Sequence, residues 1–254
     1  MNRKRLNDWN SGTVHRILRR YPDGFIGYQI QGERGKGKSM YAYKVMAKVY
    51  QELYELDEYD AYKMALEYMI FSPADLIDLI EHNIKHDVIT PVICLDDATV
   101  HFNSYKFFVD LYEVVLLKGL FDTIRTAITS VLITCPNRKQ LLSFLRAYDD
   151  YKIEIKTAPG GDNHDRYARC YQFNWYPDEK KYKVIVPFQD KYSCYVPGKK
   201  NDPESPYGAY MVKRKKYLSL INEKMKLIMA EKEKRQKVTK IESVELKENK
   251  ENYI

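Results

Sequence analysis

Residues 25–46 read FIGYQIQGERGKGKSMYAYKVM, and how this stretch is read decides the fold. Inside it, Gly32-Glu33-Arg34-Gly35-Lys36-Gly37-Lys38-Ser39 follows the pattern G-x-x-x-x-G-K-[ST]. The pattern works as an anion cradle. Glycines at 32, 35 and 37 permit positive φ, so successive backbone N–H groups can face one phosphate. Lys38 brings an ammonium to the β- and γ-phosphates of a nucleotide, and the Ser39 hydroxyl is a ligand for Mg²⁺. A helix starting at Lys38 adds its positive N-terminal end. The flanks agree with this. Phe25 to Ile30, bounded by Pro22-Asp23-Gly24, is rich in β-formers and predicts a strand. After Ser39, Tyr43, Met46, Val49, Tyr50, Leu53 and Tyr54 recur at helical spacing.

Further along, Pro91-Val92-Ile93-Cys94-Leu95-Asp96-Asp97 ends an apolar run in two carboxylates. Such a run predicts a fully buried parallel strand that delivers acids at its C-terminal edge. Next to a phosphate loop, Asp96 is the candidate Mg²⁺ holder and Asp97 the candidate for polarising the attacking water. The competing reading is an acidic turn after a core strand. Ser130 to Asn137 predicts another buried strand with polar residues at its end.

The remaining segments have plainer signals. Residues 1–24 form a basic lead-in, with Ser11 or Thr13 capping a short helix that carries Arg16, Arg19 and Arg20 on one face. Those arginines read as a solvated face, or as contacts to a phosphate backbone or a neighbouring subunit. Asp57 to Asp60 interrupts the helical pattern, which resumes from Ala61 to about Glu67. Tyr68 to Phe71 predicts a strand, and Ser72-Pro73-Ala74-Asp75 a capped helix start. His82 and His86 lack metal-site spacing and read as exposed. Residues 106–126 predict a helix broken at Lys118-Gly119, and residues 138–148 another, bearing Arg146 near its end. An arginine there can reach a neighbouring subunit's γ-phosphate, or can simply lie on the surface. Tyr151 to Lys156 predicts the last core strand.

From residue 158 the character changes. Arg166 to Tyr176 and Lys181 to Phe188 predict a hairpin with aromatic side chains among lysines. Such side chains can stack on bases or merely fill a half-buried ribbon. Pro197 to Pro206 reads as a linker. A long charged helix then carries Met211, Leu218, Ile221, Met225 and Ile228 on one stripe and Lys213 to Lys216 near its start, fraying from about Lys240. The expected organisation is a lead-in at 1–24, a nucleotide-binding core at 25–157, a hairpin extension at 158–197, and a linker with a basic helix at 198–254.

Composition sets outer bounds. A chain of 254 residues with 44% hydrophobic and 30% charged residues has enough apolar content for a sizeable core. A net charge of +7 permits nucleic acid or an acidic surface as a partner without requiring either. The four cysteines, at 94, 135, 170 and 194, form no C-x-x-C pair, which argues against a zinc ribbon or redox dithiol. They fit a reducing, intracellular setting. No run is long and apolar enough to span a bilayer, so a soluble cytoplasmic protein without a transmembrane segment is expected.

In that order, with helices between, residues 32–39, Asp96-Asp97 and the polar-ended strand at 130–137 resemble the additional-strand division of P-loop ATPases, which includes RecA-like, AAA+ and HerA–FtsK-type proteins. The resemblance covers roughly residues 25–156. Within the division, the chain is similar to small ATPases of crenarchaeal viruses and plasmids, some described as DnaA-like. Residues 141–156 (LLSFLRAYDDYKIEIK) also resemble HerA–FtsK and zonula occludens toxin-like proteins, where a helix-borne arginine, here Arg146, precedes the last core strand. The resemblance implies a three-layer α/β fold with a mostly parallel sheet. It places the strand ending at Thr134 between the phosphate-loop strand and the Asp96 strand, with Thr134, or else Asn137, sensing the γ-phosphate. It implies ATP and Mg²⁺ as cofactors, a homo-oligomer, and DNA or a protein–DNA assembly as partner. Asp97 departs from the division's usual Glu, and no helix-turn-helix domain follows the core. A phosphotransferase acting on a small substrate and a nucleotide-binding scaffold with negligible hydrolysis remain the alternatives.

Overall fold

Ser11 opens the first helix, its side chain accepting from the Val14 N–H, and α1 runs over Gly12–Arg20. The order that follows is β1 (Ile26–Gln31), α2 (Lys38–Tyr54), α3 (Glu58–Glu67), β2 (Met69–Ile70), α4 (Pro73–His86), β3 (Ile93–Leu95), α5 (Leu111–Thr123) and β4 (Ser130–Thr134). Then come α6 (Ser143–Ala147), β5 (Tyr151–Thr157), β6 (Asp165–Tyr176), β7 (Lys181–Ile185), β8 (Gln189–Ser193) and α7 (Pro206–Glu251). These elements belong to a computed structural model that describes residues 6–98, 111–136, 139, 141–147, 151–161 and 163–251, with backbone alone at 146, 147, 224 and 231–251. The chain divides into two compact units, residues 1–208 and residues 209–254.

Several boundaries differ from the sequence-based expectation for local reasons. The expected break at Asp57 to Asp60 is a helix cap: Asp57 accepts from the Asp60 N–H at 2.9 Å, and α3 starts at Glu58. Lys118-Gly119 does not break α5, because Val114, Leu117 and Phe121 bury a continuous stripe across it. A glycine inside a helix costs only about 1 kcal/mol, which that stripe offsets. The helix expected over 138–148 is only Ser143–Ala147 among the described residues. Ser72 caps α4 as expected, accepting from the Asp75 N–H at 3.2 Å. The segment read as a linker folds into turns around Ser205, whose Oγ donates to the carbonyls of Lys199 and Asp202. In the second unit, α7 stays helical to Glu251 rather than fraying from Lys240, and it exposes Leu218, Met225 and Ile228.

The strand order is β2-β3-β4-β1-β5-β6-β7, with β8 pairing to β6. The first five strands are mutually parallel, and β6, β7 and β8 are antiparallel additions. As expected, β4 lies between β1 and β3, with Ile30 opposite Thr134 and Leu95 opposite Ile133. The hairpin is not a separate appendage, because β6 extends the core sheet by pairing with β5 from Thr157–Arg166 to Lys152–Tyr171. Its far half, Gln172 to Tyr176, runs past the start of β5 and pairs only with β7.

Side chains alternate across each strand, so register assigns the layers. Gln29 donates to the Leu145 carbonyl at 2.9 Å, which places α6 on one face. Val131, Ile133, Ile93 and Leu95 share that face and pack with Leu76, Val114, Leu117 and Phe121 of α4 and α5. On the other face, Tyr28 stacks on Tyr151 at 5.3 Å, and the α1 residue Arg16 donates to the Tyr151 hydroxyl at 2.8 Å. The result is a three-layer α/β fold with a mostly parallel sheet.

Several of the 23 tyrosines fill the core. Tyr28, Tyr41, Tyr43, Tyr50, Tyr62 and Tyr192 are among the largest fully buried side chains. Such a ring fills volume as Phe does but needs a partner for its hydroxyl. Tyr43 donates to the Tyr62 carbonyl at 2.9 Å and Tyr50 to the Val92 carbonyl at 2.6 Å. Helix α2 is buried all round from Tyr41 to Tyr50, even at Lys44 and Lys48. Those two lysines end on the Ser193 carbonyl at 3.2 Å and the Glu52 carboxylate at 2.7 Å. Burial lowers the Lys44 pKa to about 8.

Candidate functional site

The loop between β1 and α2 has three glycines with positive φ: Gly32 at 148°, Gly35 at 76° and Gly37 at 87°. Their surroundings differ. A Cβ at Gly32 would lie 2.9 Å from the Ile155 carbonyl oxygen, and one at Gly37 would lie 2.9 Å from the Cys194 Cβ. At Gly35 a Cβ would meet nothing within 4 Å. So two glycines let the loop press against β5 and the end of β8, and the third opens it to a ligand. Gly37 is also the N-cap of α2, which points that helix's first N–H groups into the loop.

Lys38 occupies the concavity. Its Nζ donates to the Gly32 carbonyl at 2.9 Å and the Glu33 carbonyl at 2.8 Å, so the loop curls around a buried ammonium. Burial pushes its pKa below the ordinary lysine value, with Asp97 the largest counterweight and Asp96 a smaller one. Through these charges, the acids after β3 act on the lysine after β1. Glu33, Arg34 and Gly35 are exposed, while Lys36, Gly37 and Ser39 are half-buried in the same curl and the first turn of α2.

At the neighbouring strand ends, Asp96 is buried and its N–H bonds the Ile70 carbonyl at 3.0 Å. Thr134 donates through Oγ1 to Asp96 Oδ1 at 2.7 Å and accepts from the Asp97 N–H at 2.9 Å. The Ala98 N–H bonds the Thr134 carbonyl at 3.0 Å. Asp97 adopts φ 47°, a left-handed conformation uncommon outside glycine and held here by those bonds. Thr134 therefore fixes the orientation of Asp96 and the turn that carries Asp97.

Among the sequence-derived candidates, Gly32 to Ser39, Asp96, Asp97 and Thr134 all lie at the C-terminal edge of adjacent strands β3, β4 and β1. Arg146 is on α6, with only its backbone described, and Asn137 lies outside the described residues. His82 and His86 are exposed on α4, as expected.

Sequence reasoning missed the residues that brace the loop from the other side. Arg166 is buried and donates through Nε to the Lys36 carbonyl at 3.1 Å. Tyr192 donates to the Gly37 carbonyl at 3.3 Å. Behind them stands Asp190, buried on β8. Its carboxylate accepts from Ser11 Oγ at 2.6 Å, the Gly12 N–H at 2.8 Å and the Tyr41 hydroxyl at 2.7 Å. It thus ties together the starts of α1 and α2. A polar run such as QDKYS gives no local sign of burial. In the folded strand Asp190 and Tyr192 point inward and Gln189 and Lys191 outward.

Comparison with known proteins adds context. No protein-family model matches the chain. It is 28% identical over 147 residues to the uncharacterized protein B-251 of Sulfolobus spindle-shape virus 1, covering 58% of this chain and 57% of that protein. It is 25% identical over 134 residues to an uncharacterized protein of Acidianus two-tailed virus, covering 52% of this chain and 44% of that protein. The match thus spans about half the length of these curated relatives. Among solved structures, the N-terminal domain of zonular occludens toxin from Neisseria meningitidis has a TM-score of 0.39 at 15% identity, covering 70% of this chain and 96% of that one. The DNA-packaging ATPase of Sulfolobus turreted icosahedral virus scores 0.39 at 11% identity, covering 65% and 99%. Similarity of this size bears on neither activity nor partner.

Proposed function

We propose that the chain is a P-loop ATPase of the additional-strand division, binding ATP with Mg²⁺ on residues 32–39 and hydrolysing it. The observation that carries this reading is the convergence of two sets of groups at one sheet edge. One is a positive-φ loop around a buried lysine, and the other is a buried aspartate clamped by a strand-end threonine. The buried ammonium, held by its own loop carbonyls, fits a site for a polyphosphate, which would restore the charge balance that burial disturbs. Mg²⁺ is normally held by one or two protein oxygens together with substrate phosphates, and Ser39 and Asp96 supply such a pair. When bound, the cation would neutralise charge developing on the phosphoryl oxygens. Asp97 is the chain's candidate base for orienting water, Thr134 positions Asp96, and Arg146 is the candidate for a neighbouring copy's γ-phosphate in a homo-oligomer. A phosphotransferase would need an arginine-rich lid after the core; Arg166, which follows Gly160-Gly161, is the nearest match, and it is instead committed to the Lys36 carbonyl.

Thr134 gives a graded check on the site. Thr134→Val keeps the shape and removes the hydroxyl, so turnover should fall roughly tenfold, the equivalent of one hydrogen bond to a charged group. The Mg²⁺ concentration for half-maximal phosphate release should rise, and Thr134→Ser should restore both. An unchanged Mg²⁺ requirement in the valine variant would remove Thr134 from the site.

The finer part of the proposal is that hydrolysis is coupled to work on DNA or a protein–DNA assembly. Its support is a cavity of about 590 Å³ lined by Arg16, Arg19, Arg20, Tyr151 and Phe188. It lies at the N-terminal ends of β1 and β5, opposite the loop edge. Arg16 stacks over Tyr151 at 4.9 Å and Phe188 at 5.5 Å. Arg19 and Arg20 are exposed and form no ion pair among the described residues. Basic and aromatic groups in one concavity suit a nucleic-acid strand. Phosphate release from ATP should require Mg²⁺ and rise with single- or double-stranded DNA. In an Arg19→Ala/Arg20→Ala variant, the DNA-free rate should be unchanged while DNA affinity falls and the salt dependence of binding flattens by about 1–2. No release under any condition would refute the ATPase. Unaltered DNA affinity and salt slope in the variant would refute the arginine site.

A further inference from the structure

A second cavity, of about 440 Å³, opens directly beside the loop. Its wall includes Gly35 and Gly37 on one side and His164, Arg166, Tyr195 and Val196 on the other. The second group comes from the start of β6 and the residues following β8, elements the sequence reading placed outside the nucleotide core. We infer that this cavity holds the base and ribose of the nucleotide, so that the antiparallel strands added to the sheet form half of the substrate site. The inference rests on the proposed nucleotide site and names its missing end.

Direction is the first argument. Along the sheet, Asp96 and Thr134 flank the loop on the β4–β3 side. A cation held by Asp96 must lie at the β- and γ-phosphates, so the terminal phosphate points toward those strands. The α-phosphate and nucleoside then leave the loop on the opposite side, toward β5, β6 and β8. This cavity is on that side and shares two of the loop's own glycines.

Chemistry is the second. A nucleoside needs a concave site with flat, largely apolar walls and a few polar groups, with typical volumes of roughly 300–1,000 Å³. Tyr195 and His164 supply rings, in edge contact at 6.3 Å. Met40 and Val196 supply apolar surface, and Asn163 an amide at the rim. The Arg166 guanidinium, bonded to the Lys36 and Asp165 carbonyls, is buried at the wall where the α-phosphate would pass. The loop approaches this wall closely: a Cβ at Gly37 would come within 3.6 Å of the Cys194 sulfur.

The test separates the two ends of the ligand. Binding of Mg·ATP and of Mg·tripolyphosphate, which carries the phosphates without a nucleoside, is measured by calorimetry for the wild type, Tyr195→Ala and Lys38→Ala. The wild type should bind ATP at least tenfold more tightly than tripolyphosphate. Tyr195→Ala should weaken ATP about tenfold, as expected for losing a base-stacking ring, and leave tripolyphosphate unchanged. That unchanged affinity also reports an intact fold. Lys38→Ala should weaken both. Equal wild-type affinity for the two ligands, or a Tyr195→Ala effect that is absent or identical for both, overturns the base pocket alone. Failure of the wild type to bind either ligand overturns the nucleotide site and the pocket together.

Discussion

Lys38→Ala is expected to reduce phosphate release from ATP by at least about a hundredfold, the scale at which removing one preorganised charge-stabilising donor acts. The direction follows from electrostatics. Burial already disfavours the Lys38 ammonium, and Asp97, then Cys135 and Asp96, offset this only in part. Its bonds to the Gly32 and Glu33 carbonyls satisfy its protons without balancing its charge. A triphosphate is the counter-charge such a site lacks, so lysine and ligand stabilise each other and losing either forfeits most of the binding. The substitution should not harm the fold, since it removes a desolvated charge and leaves two loop carbonyls that water can reach. Thermal denaturation without nucleotide should therefore be close to wild type, while the stabilisation given by added Mg·ATP disappears. Release at the wild-type rate by the alanine protein would mean that hydrolysis does not occur at this loop.

The second large effect is structural. Asp190→Ala should destabilise the first unit by about 3 kcal/mol, because it removes the acceptor of the Ser11 hydroxyl and the Gly12 N–H and leaves the Tyr41 hydroxyl with Thr13 alone. At about 2–4 °C per kcal/mol for a unit this size, the melting temperature should fall by roughly 6–12 °C. Asp190→Asn keeps one acceptor oxygen but turns an NH₂ toward a hydroxyl, so it should fall between. A loss below about 1 kcal/mol in the alanine variant, measured by urea denaturation, would show that water replaces the carboxylate. Because Tyr41 lies two residues after Ser39 in the first turn of α2, the variant should also loosen the start of that helix and weaken ATP binding at temperatures where it remains folded.

How much of this was legible in the sequence depended on the range of the interactions involved. The strand–loop–helix at 25–46 was readable because each feature is local: β-formers, spaced glycines and a helical repeat lie within 22 consecutive residues. The placement of β4 between β1 and β3 was readable only through family resemblance, because no feature of residues 130–134 themselves names their neighbours. Asp57 reads as a breaker because α2 ends at the left-handed Glu55, just before Asp57 caps α3. The braces of the loop were not readable at all. Arg166 and Tyr192 reach Lys36 and Gly37 across 130 and 155 residues of chain. Their roles arise from where β6 and β8 join the sheet rather than from any motif. The hairpin strands were correctly read as strands, but not as part of the sheet that carries the loop.

The near contact between Gly37 and Cys194 has a consequence for the protein's history. Two positions 157 apart in sequence share one small volume, and a Cβ at the first would already collide with the Cβ of the second. Position 37 is therefore not free to drift. In any homologue that keeps a strand like β8 beside the loop, glycine should be retained at the position of 37, whereas the side chain at 194 can vary beyond its Cβ.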